Sequence, residues 1–395
     1  MNILFLAWQI FQWILWGYFL FFILYLTIFA IAGLFYKQYK KEADLFRRFA
    51  VFIPSYKEDN VIIDVAKNAL IQDYPSEYFD VIVIADSLKS ETIEKLKNIP
   101  VNVIEVSFDI STKAKALNQA LSILPENKYD IALILDADNI MEFSFISKIN
   151  ATFTKGIPAV QGHRTAKNLN NSFAILDAIS EEINNHIFRK GRRALGLSSA
   201  IIGSGMAFEY LFFKDLMKSA KAIGGFDKEI ELEMLSNKLK IDYADHALVF
   251  DEKVQKPEVF QNQRKRWLSA QFHYFGLYIL PATKKLILNQ NIDFFDKALQ
   301  MLQPPRILLL GLVFLFTTIS IIINPIEITY YWFAIFFLCL LTLLISVPAK
   351  HYNKKTLNAF FTLPKAFSIM LLSLFKLKGA NKKFIHTEHT TTNTL

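Results

Sequence analysis

Hydrophobic and polar positions divide this chain into stretches of different character. Residues 1–36 contain no Asp, Glu, Lys or Arg. That is long enough to cross a bilayer, which takes roughly 20 apolar residues. From about residue 49 the pattern changes to short apolar runs separated by helical spacing. Phe49–Ile53, Val81–Ala85, Val101–Val106 and Ile131–Leu135 read as strands, and Val61–Gln72 and Lys113–Leu124 as helices. Continuous apolar runs of this length suit strands buried on both faces of a parallel sheet. Their alternation with helices predicts right-handed βαβ units, an α/β fold with a mainly parallel sheet and helices on both faces. Near the C-terminus Ile307–Ile323 and Tyr330–Val347 are again uncharged and read as two more spans.

Charge placement orients these spans. Lys37, Lys40, Lys41, Arg47 and Arg48 follow the first one, and Lys350, Lys354 and Lys355 follow the last, with Lys376, Lys378, Lys382 and Lys383 in the tail. The link 324–329 carries one Glu and no Lys or Arg. By the positive-inside rule the domain between the spans is expected in the cytoplasm, under a multi-pass cytoplasmic (inner) membrane protein. Residues 1–36 lack a basic start and a small-residue cleavage site, so they read as an anchor. Trp8, Trp13 and Trp16 suit an interfacial belt. Trp267–Leu280 and Leu357–Leu377 look amphipathic and are expected to lie in the interface plane, with a further span as the alternative for the second. The Thr-rich end, 384–395, is expected to be disordered.

The chain is 53% hydrophobic and carries a net charge of +8. The basic excess sits beside the spans, where anionic lipid accounts for it, and no nucleic-acid-binding module is recognisable. A single cysteine excludes an intrachain disulfide framework and a Cys-based zinc site. The spans hold no Asp, Glu, Lys, Arg or His, which argues against transport as the sole task. No G-x-G-x-x-G follows the first strand, which disfavours a dinucleotide redox fold, and there is no Walker motif.

The candidate chemistry sits at strand ends. Ile131–Leu135 runs directly into Asp136 and Asp138, and Val81–Ala85 ends at Asp86. In open α/β sheets ligands bind beyond the carboxyl ends of strands. Two close carboxylates there suit a hard cation such as Mg²⁺ shared with substrate phosphates. Lys113 and Lys115 open a helix, where a cation and helix N–H groups can meet a diphosphate. His163 and Arg164 follow another strand-like run, with an acceptor or phosphate role open to them.

The order FIPSYKE, VIADS, KAKALN, DAD, then Gly203-Ser204-Gly205, GGFDKEIELEMLSNKL and QNQRKRW resembles membrane-bound members of glycosyltransferase family 2, including cellulose and hyaluronan synthases. The resemblance covers roughly residues 48–270. It implies a GT-A domain at 37–266 behind a transmembrane anchor at 1–36. Interfacial helices would follow at 267–305, two transmembrane helices at 306–348, and an interfacial helix with a polar tail at 349–395. It also implies residue roles. Pro54, Tyr56 and Glu58 would line the nucleotide end, Asp86 would accept hydrogen bonds from the base, and Lys113 would lie near the nucleotide. Asp136 and Asp138 would form the D-x-D motif that holds Mg²⁺ or Mn²⁺. Gly205 belongs to the small-residue segment at the substrate, and Gln263, Arg266 and Trp267 form Q-x-x-R-W, holding diphosphate and acceptor sugar. The implied activity is inverting transfer of a sugar from a nucleotide-sugar, UDP-linked in the first instance, to a polysaccharide or lipid-linked acceptor. Three spans are few for a secretion channel, so partner proteins for polymer synthesis or export are expected, or single-sugar addition.

Two positions depart from the family pattern. Ala85 replaces the first of two aspartates at the base-binding loop. Leu232 falls where the related synthases carry the catalytic Asp of a Glu-Asp pair, leaving Glu231 and Glu233 as candidate bases and Asp227 as the alternative. Glu231 and Glu233 stand roughly 200° apart on a helix, so one of them at most faces the crevice. A non-catalytic membrane scaffold with a degenerate transferase domain is the competing reading.

Overall fold

The computed structural model describes residues 3–39, 41–220 and 224–374. A long apolar helix, α1 (Ile3–Leu34), precedes the expected βαβ alternation. β1 (Phe49–Tyr56) leads through α2 (Ile62–Ala69) to β2 (Phe79–Asp86), and α3 (Ser90–Lys97) leads to β3 (Asn102–Val106). α4 (Lys113–Ile123) precedes β4 (Ile131–Ile134), followed by β5 (Ile140–Met141), α5 (Phe145–Phe153) and β6 (Ala159–Ala166). α6 (Ser172–Asn184) runs into a π-helical stretch, Asn185–Gly191, and the short α7 (Arg192–Ala194). β7 (Met206–Glu209), α8 (Tyr210–Ser219), α9 (Phe226–Ser236) and β8 (Ile241–Asp251) follow.

β1 outruns its apolar core because Pro54 does not end it. Proline lacks the N–H that a ladder needs. The β1–β4 pairing ends at Phe52 and Ile134, with Leu135 N–H donating to Phe52 O. Residue 54 shares the orientation of residue 52, so its missing N–H faces the side where β4 has already stopped.

The eight strands form one sheet in the order β3-β2-β1-β4-β7-β6-β8-β5. β1 is parallel to β2 and β4, β2 to β3, and β6 to β8, while β7 is antiparallel to both β4 and β6. Two reversals restore the direction, so β1, β2, β4, β6 and β8 all point their carboxyl ends at one edge. The winding reverses between β1 and β4, which makes that edge the place for a ligand. Alternate side chains of the strands feed two cores. Val51 and Ile53 pack with Ile62, Val65 and Phe145 on one face; Ala50 and Phe52 pack with Leu117, Phe213 and Ile230 on the other.

Beyond the sheet, α10 (Pro257–Asn289) is a single 33-residue helix with Pro at its start, so the segment expected as a separate interfacial helix at 267–280 lies inside it. α11 (Ile292–Gln300), α12 (Arg306–Ile323), α13 (Ile326–Ile345), α14 (Lys354–Phe360) and α15 (Leu363–Leu374) follow. Three helical stretches, Leu6–Leu34, Arg306–Ile323 and Ile326–Ile345, are long and apolar enough to cross a membrane. α14 and α15 form a pair bent by 46° near Pro364. The end expected to be disordered, 384–395, lies outside the described residues.

The apolar helices pack as a bundle. Phe19, Ile23 and Leu26 of α1 share a core with Leu309, Val313, Trp332 and Ile335. Gln12 bonds Asn324, and Trp16 Nε1 donates to Tyr331 O at 3.1 Å. The start of α1 therefore sits beside the α12–α13 link. The other end of α1 meets the π-helical stretch. A side chain at Gly191 would stand 2.1 Å from Phe29 O, so only glycine lets the two backbones approach.

Candidate active site

Three carboxylates meet at the common strand edge. Asp136 and Asp138 follow β4, and Asp251 ends β8. Each offers an oxygen, and these all lie within 4.8 Å of one another. β8 and β4 are not neighbours in the sheet; β7 and β6 lie between them. Only the shared direction of the strands brings Asp251 to the D-x-D turn.

Asn139 braces the turn. Its Oδ1 accepts from Asp136 N–H at 3.2 Å, and its Nδ2 donates to Asp138 Oδ1 at 3.1 Å and Asp251 Oδ1 at 3.3 Å. Asp138 is 1% exposed, and its Oδ2 accepts from Glu252 N–H at 2.9 Å. Three carboxylates in so small a space repel one another unless cations join them. An all-oxygen set of this kind fits Mg²⁺ or Mn²⁺.

Side-chain cations surround the cluster. Lys113 Nζ, from the first residue of α4, lies 2.5 Å from Asp136 Oδ1 and donates to Gly203 O at 2.8 Å. Thr112 caps α4 by accepting from Lys115 N–H, which fixes where Lys113 starts. Arg164 of β6 reaches Asp251 at 3.6 Å and Asp136 at 3.8 Å. Lys253 reaches Asp251 at 2.7 Å. Both Arg164 and Lys253 also pair with Glu181 on α6. Burial alone would push the Glu181 carboxyl up, but Arg164 and Lys253 hold it down at about 2. Next to it, Glu182 is held far below the usual carboxylate range, despite its burial, by His163, His351 and Lys350.

Both depressed carboxyls stabilise the folded chain only while they are ionised. Their contribution is complete above the ordinary value of 4.5 and falls away as the pH drops toward about 2 for Glu181 and lower for Glu182. Acid titration followed by circular dichroism should show stability falling below about pH 4.5, and Glu181→Gln should flatten that slope.

The residues expected at the nucleotide end share a second corner. Tyr56 and Asp86 are register partners at the ends of β1 and β2, and Lys57 N–H donates to Asp86 O at 3.1 Å. Asp86 is 2% exposed, and Ser87 Oγ donates to its carboxylate at 3.0 Å. Pro54 is paired with Ile84, and Glu58 is 6% exposed where the chain turns into α2.

Gly205 sits in a loop clamped by Gln161, whose Nε2 donates to Ser204 O at 2.9 Å and Gly205 O at 3.1 Å. Gly205 has φ +59°, and a side chain there would meet Val249 Cγ1 at 2.5 Å, so glycine is required.

On α9 the carboxylates separate by face. Glu231 is 1% exposed and pairs with Lys297 of α11 at 2.7 Å. Glu233 is half-buried and accepts from Asn237 at 3.1 Å. Asp227 lies against Gly203, whose carbonyl holds Lys113. Leu232 packs with Ala270, Tyr274 and Phe294, so the position where related synthases carry aspartate faces an apolar cluster here.

Gln263, Arg266 and Trp267 lie on one stretch of α10, with Trp267 39% exposed. Burial holds the Arg266 guanidinium below its ordinary value. Trp267 O accepts from Lys228 Nζ of α9 at 3.4 Å. Arg264, between them in sequence, pairs with Asp177 of α6 and stacks 4.4 Å from the Trp267 ring. α6 thus joins α10 to the aspartate cluster.

The sequence reading passed over Asp251, Asn139, Glu181 and Lys253. Asp251 carried a readable signal: it ends the apolar run Ala247–Phe250 as Asp86 and Asp136 end theirs. Glu181 and Lys253 carried none, because each matters only through a partner distant in sequence.

Residues 47–270 match the model of a family described as glycosyltransferase like family 2, and the chain belongs to that family. It is a glycosyltransferase with the GT-A fold. Among solved structures it is similar to a mannosyltransferase from Pyrobaculum calidifontis in complex with GDP-Man and Mn²⁺, at 16% identity, covering 83% of this chain and 95% of that one, TM-score 0.49. It is also similar to S. aureus TarS 1–349, at 14% identity, 81% and 91% coverage, TM-score 0.43. A third is glucosyl-3-phosphoglycerate synthase from Mycobacterium tuberculosis with Mn²⁺ and UDP, at 14% identity, 54% and 74% coverage, TM-score 0.36. None of the curated proteins searched matches the chain.

Proposed function

We propose that this protein is an integral membrane glycosyltransferase that moves a sugar, with inversion, from a nucleotide-sugar to a polysaccharide or lipid-linked acceptor. The observation that carries the reading is the aspartate cluster set among Lys113, Arg164 and Lys253 at the switch point of the sheet. We take the donor to be UDP-linked and the domain to face the cytoplasm, with Leu6–Leu34, Arg306–Ile323 and Ile326–Ile345 crossing the inner membrane. Lysines after the first and last of these spans support that orientation.

The roles follow from charge. Asp136, Asp138 and Asp251 would hold Mg²⁺ or Mn²⁺, which supplies positive charge for the departing diphosphate. Lys113 and Arg164 stand ready to bind phosphate oxygens, adding charge where the leaving group gathers it. Asp86, with Pro54, Tyr56 and Glu58, forms the base end of the donor site. Gly205 keeps the loop close to the donor, and Gln263, Arg266 and Trp267 form the acceptor side. The acceptor hydroxyl must give up a proton to a carboxylate. Glu231 is the base in this reading, held in place by Lys297. Glu233 turns toward Asn237 on another face of α9. Asp227, one turn before Glu231, is the alternative.

The test is consumption of labelled sugar nucleotides by membranes containing the protein, with and without Mn²⁺. Metal-dependent consumption of one donor is expected. A scaffold with a degenerate domain consumes none, and that outcome would end the enzymatic reading. Glu231→Gln and Asp227→Asn then identify the base as the variant that loses transfer yet still binds donor.

A further inference from the structure

Arg306 opens α12, yet its guanidinium bonds only uncharged oxygens. Nη1 donates to Asn184 Oδ1 at 2.6 Å, and Nη2 donates to Ser180 O at 2.9 Å and Ser180 Oγ at 3.2 Å. The charges acting on it are those of Arg264 and Arg189, both of its own sign. Arg189 is 2% exposed and is likewise bonded to neutral groups, Ala200 O and Asn185 Oδ1. Among the described residues neither Arg306 nor Arg189 has a carboxylate in ion-pairing reach; only Arg264 does, in Asp177. Arg189 feels the charges of Glu181 and Glu231 from further off, whereas Arg306 has only like charges acting on it. Burying charge without a counter-ion is costly, and the positive end of the α12 dipole adds to the imbalance.

The cluster is open on one side. Arg306, Ser180 and Asn184 are all partly exposed, whereas Arg189 and Arg264 are buried behind them. The borders are apolar. The Phe188 ring lies 5.8 Å from the Arg306 guanidinium, and Ile307 packs with Phe173 and Phe260. α6 links the two sites: Ser180 and Asn184 bond Arg306, while Glu181 bonds Arg164 and Lys253 beside Asp251. A guanidinium fork matches the oxygens of phosphate, and an apolar border at the foot of a membrane-length helix suits an amphiphile.

We propose that Arg306, backed by Arg264 and Arg189, seats the phosphate group of a membrane lipid that serves as the sugar acceptor. The word acceptor rests on the transferase reading; the binding does not. The phosphate is held between α6, α10 and α12, on the side of α10 that carries Trp267. This lipid phosphate is recognised by its charge and by its chain together.

The experiment uses the full chain in nanodiscs of neutral phosphatidylcholine, without donor. Binding of a polyprenyl monophosphate is compared with that of the matching uncharged polyprenol and of inorganic phosphate. The lipid phosphate should bind saturably and at least tenfold more tightly than either comparison ligand. Arg306→Gln should weaken it at least tenfold, and Arg306→Lys less. Asn184→Asp places a carboxylate on the guanidinium. It should raise the melting temperature while weakening lipid-phosphate binding, an effect that a merely structural role for Arg306 would not produce. Equal binding of polyprenol, or unchanged binding in Asn184→Asp, would overturn the proposal. Inorganic phosphate binding as tightly as the lipid would replace the lipid by a free anion. Metal-dependent donor consumption by the wild-type chain is measured separately, so loss of either reading leaves the other standing.

Discussion

Replacing Asp138 by Ala is expected to lower metal-dependent sugar transfer by about a hundredfold to a thousandfold. The carboxylate is 1% exposed and held by Glu252 N–H and Asn139, so no neighbouring side chain can swing into its place. Loss of well-placed charge opposite a developing anion costs about 3–4 kcal/mol, and each 1.36 kcal/mol is a factor of about ten in rate. Asp251→Asn should act in the same direction. The measurement is initial rate against Mn²⁺ concentration, with circular dichroism as the folding control. Asp215, exposed on α8 and paired with Lys218, supplies the comparison: Asp215→Ala should leave the rate unchanged. A fall of less than tenfold in Asp138→Ala would remove this residue from the metal site.

The second large effect is on stability. Arg192→Met should destabilise the chain by about 3–5 kcal/mol, because it leaves the buried carboxylate of Asp296 without its cation, while Asp293 keeps Lys240. Arg192 is wholly buried, donates to Ser198 O at 2.8 Å, and pairs with Asp293 and Asp296 of α11. Asp296 also accepts from Tyr25 on α1 at 2.9 Å, so this one guanidinium joins the apolar bundle to the catalytic domain. The apparent melting temperature of the solubilised chain should fall by roughly 10 °C. Adding Asp296→Asn should recover part of the loss, since it removes one uncompensated charge. A single variant that melts with the wild type would show that Asp293 and Asp296 do not depend on Arg192.

Much of the catalytic domain is legible along the sequence because its strands are local objects. An apolar run such as Ile131–Ile134 carries its own signal, and the acids that end it, Asp136 and Asp138, mark the binding edge without any knowledge of their neighbours. The helix at 113–123 was equally readable, since Thr112 caps it locally. The three long apolar helices were readable for the same reason: an unbroken apolar run needs no partner to be recognised. Element ends were less legible. The apolar run Phe49–Ile53 stops short of Pro54, yet β1 continues to Tyr56, because the missing N–H of Pro54 falls where β4 has already stopped. Trp267–Leu280 reads as an amphipathic segment, yet α10 starts ten residues earlier at Pro257 and continues past Pro281 to Asn289.

The sequence by itself determined the βαβ alternation, the three apolar helices and the order of motifs that marks a family 2 glycosyltransferase. Each is a short-range pattern, set by the period of a strand or helix or by the length of an apolar run. Tertiary structure alone decided which distant charges share a space. It brought Asp251 to the D-x-D turn by reversing the chain twice through β7. It set Glu181 between Arg164 and Lys253, tied Glu231 to Lys297, and left Arg306 on neutral oxygens beside Arg264 and Arg189. Coulomb interactions act across a few ångströms of space and are indifferent to separation along the chain, so these partners had no sequence signal to give.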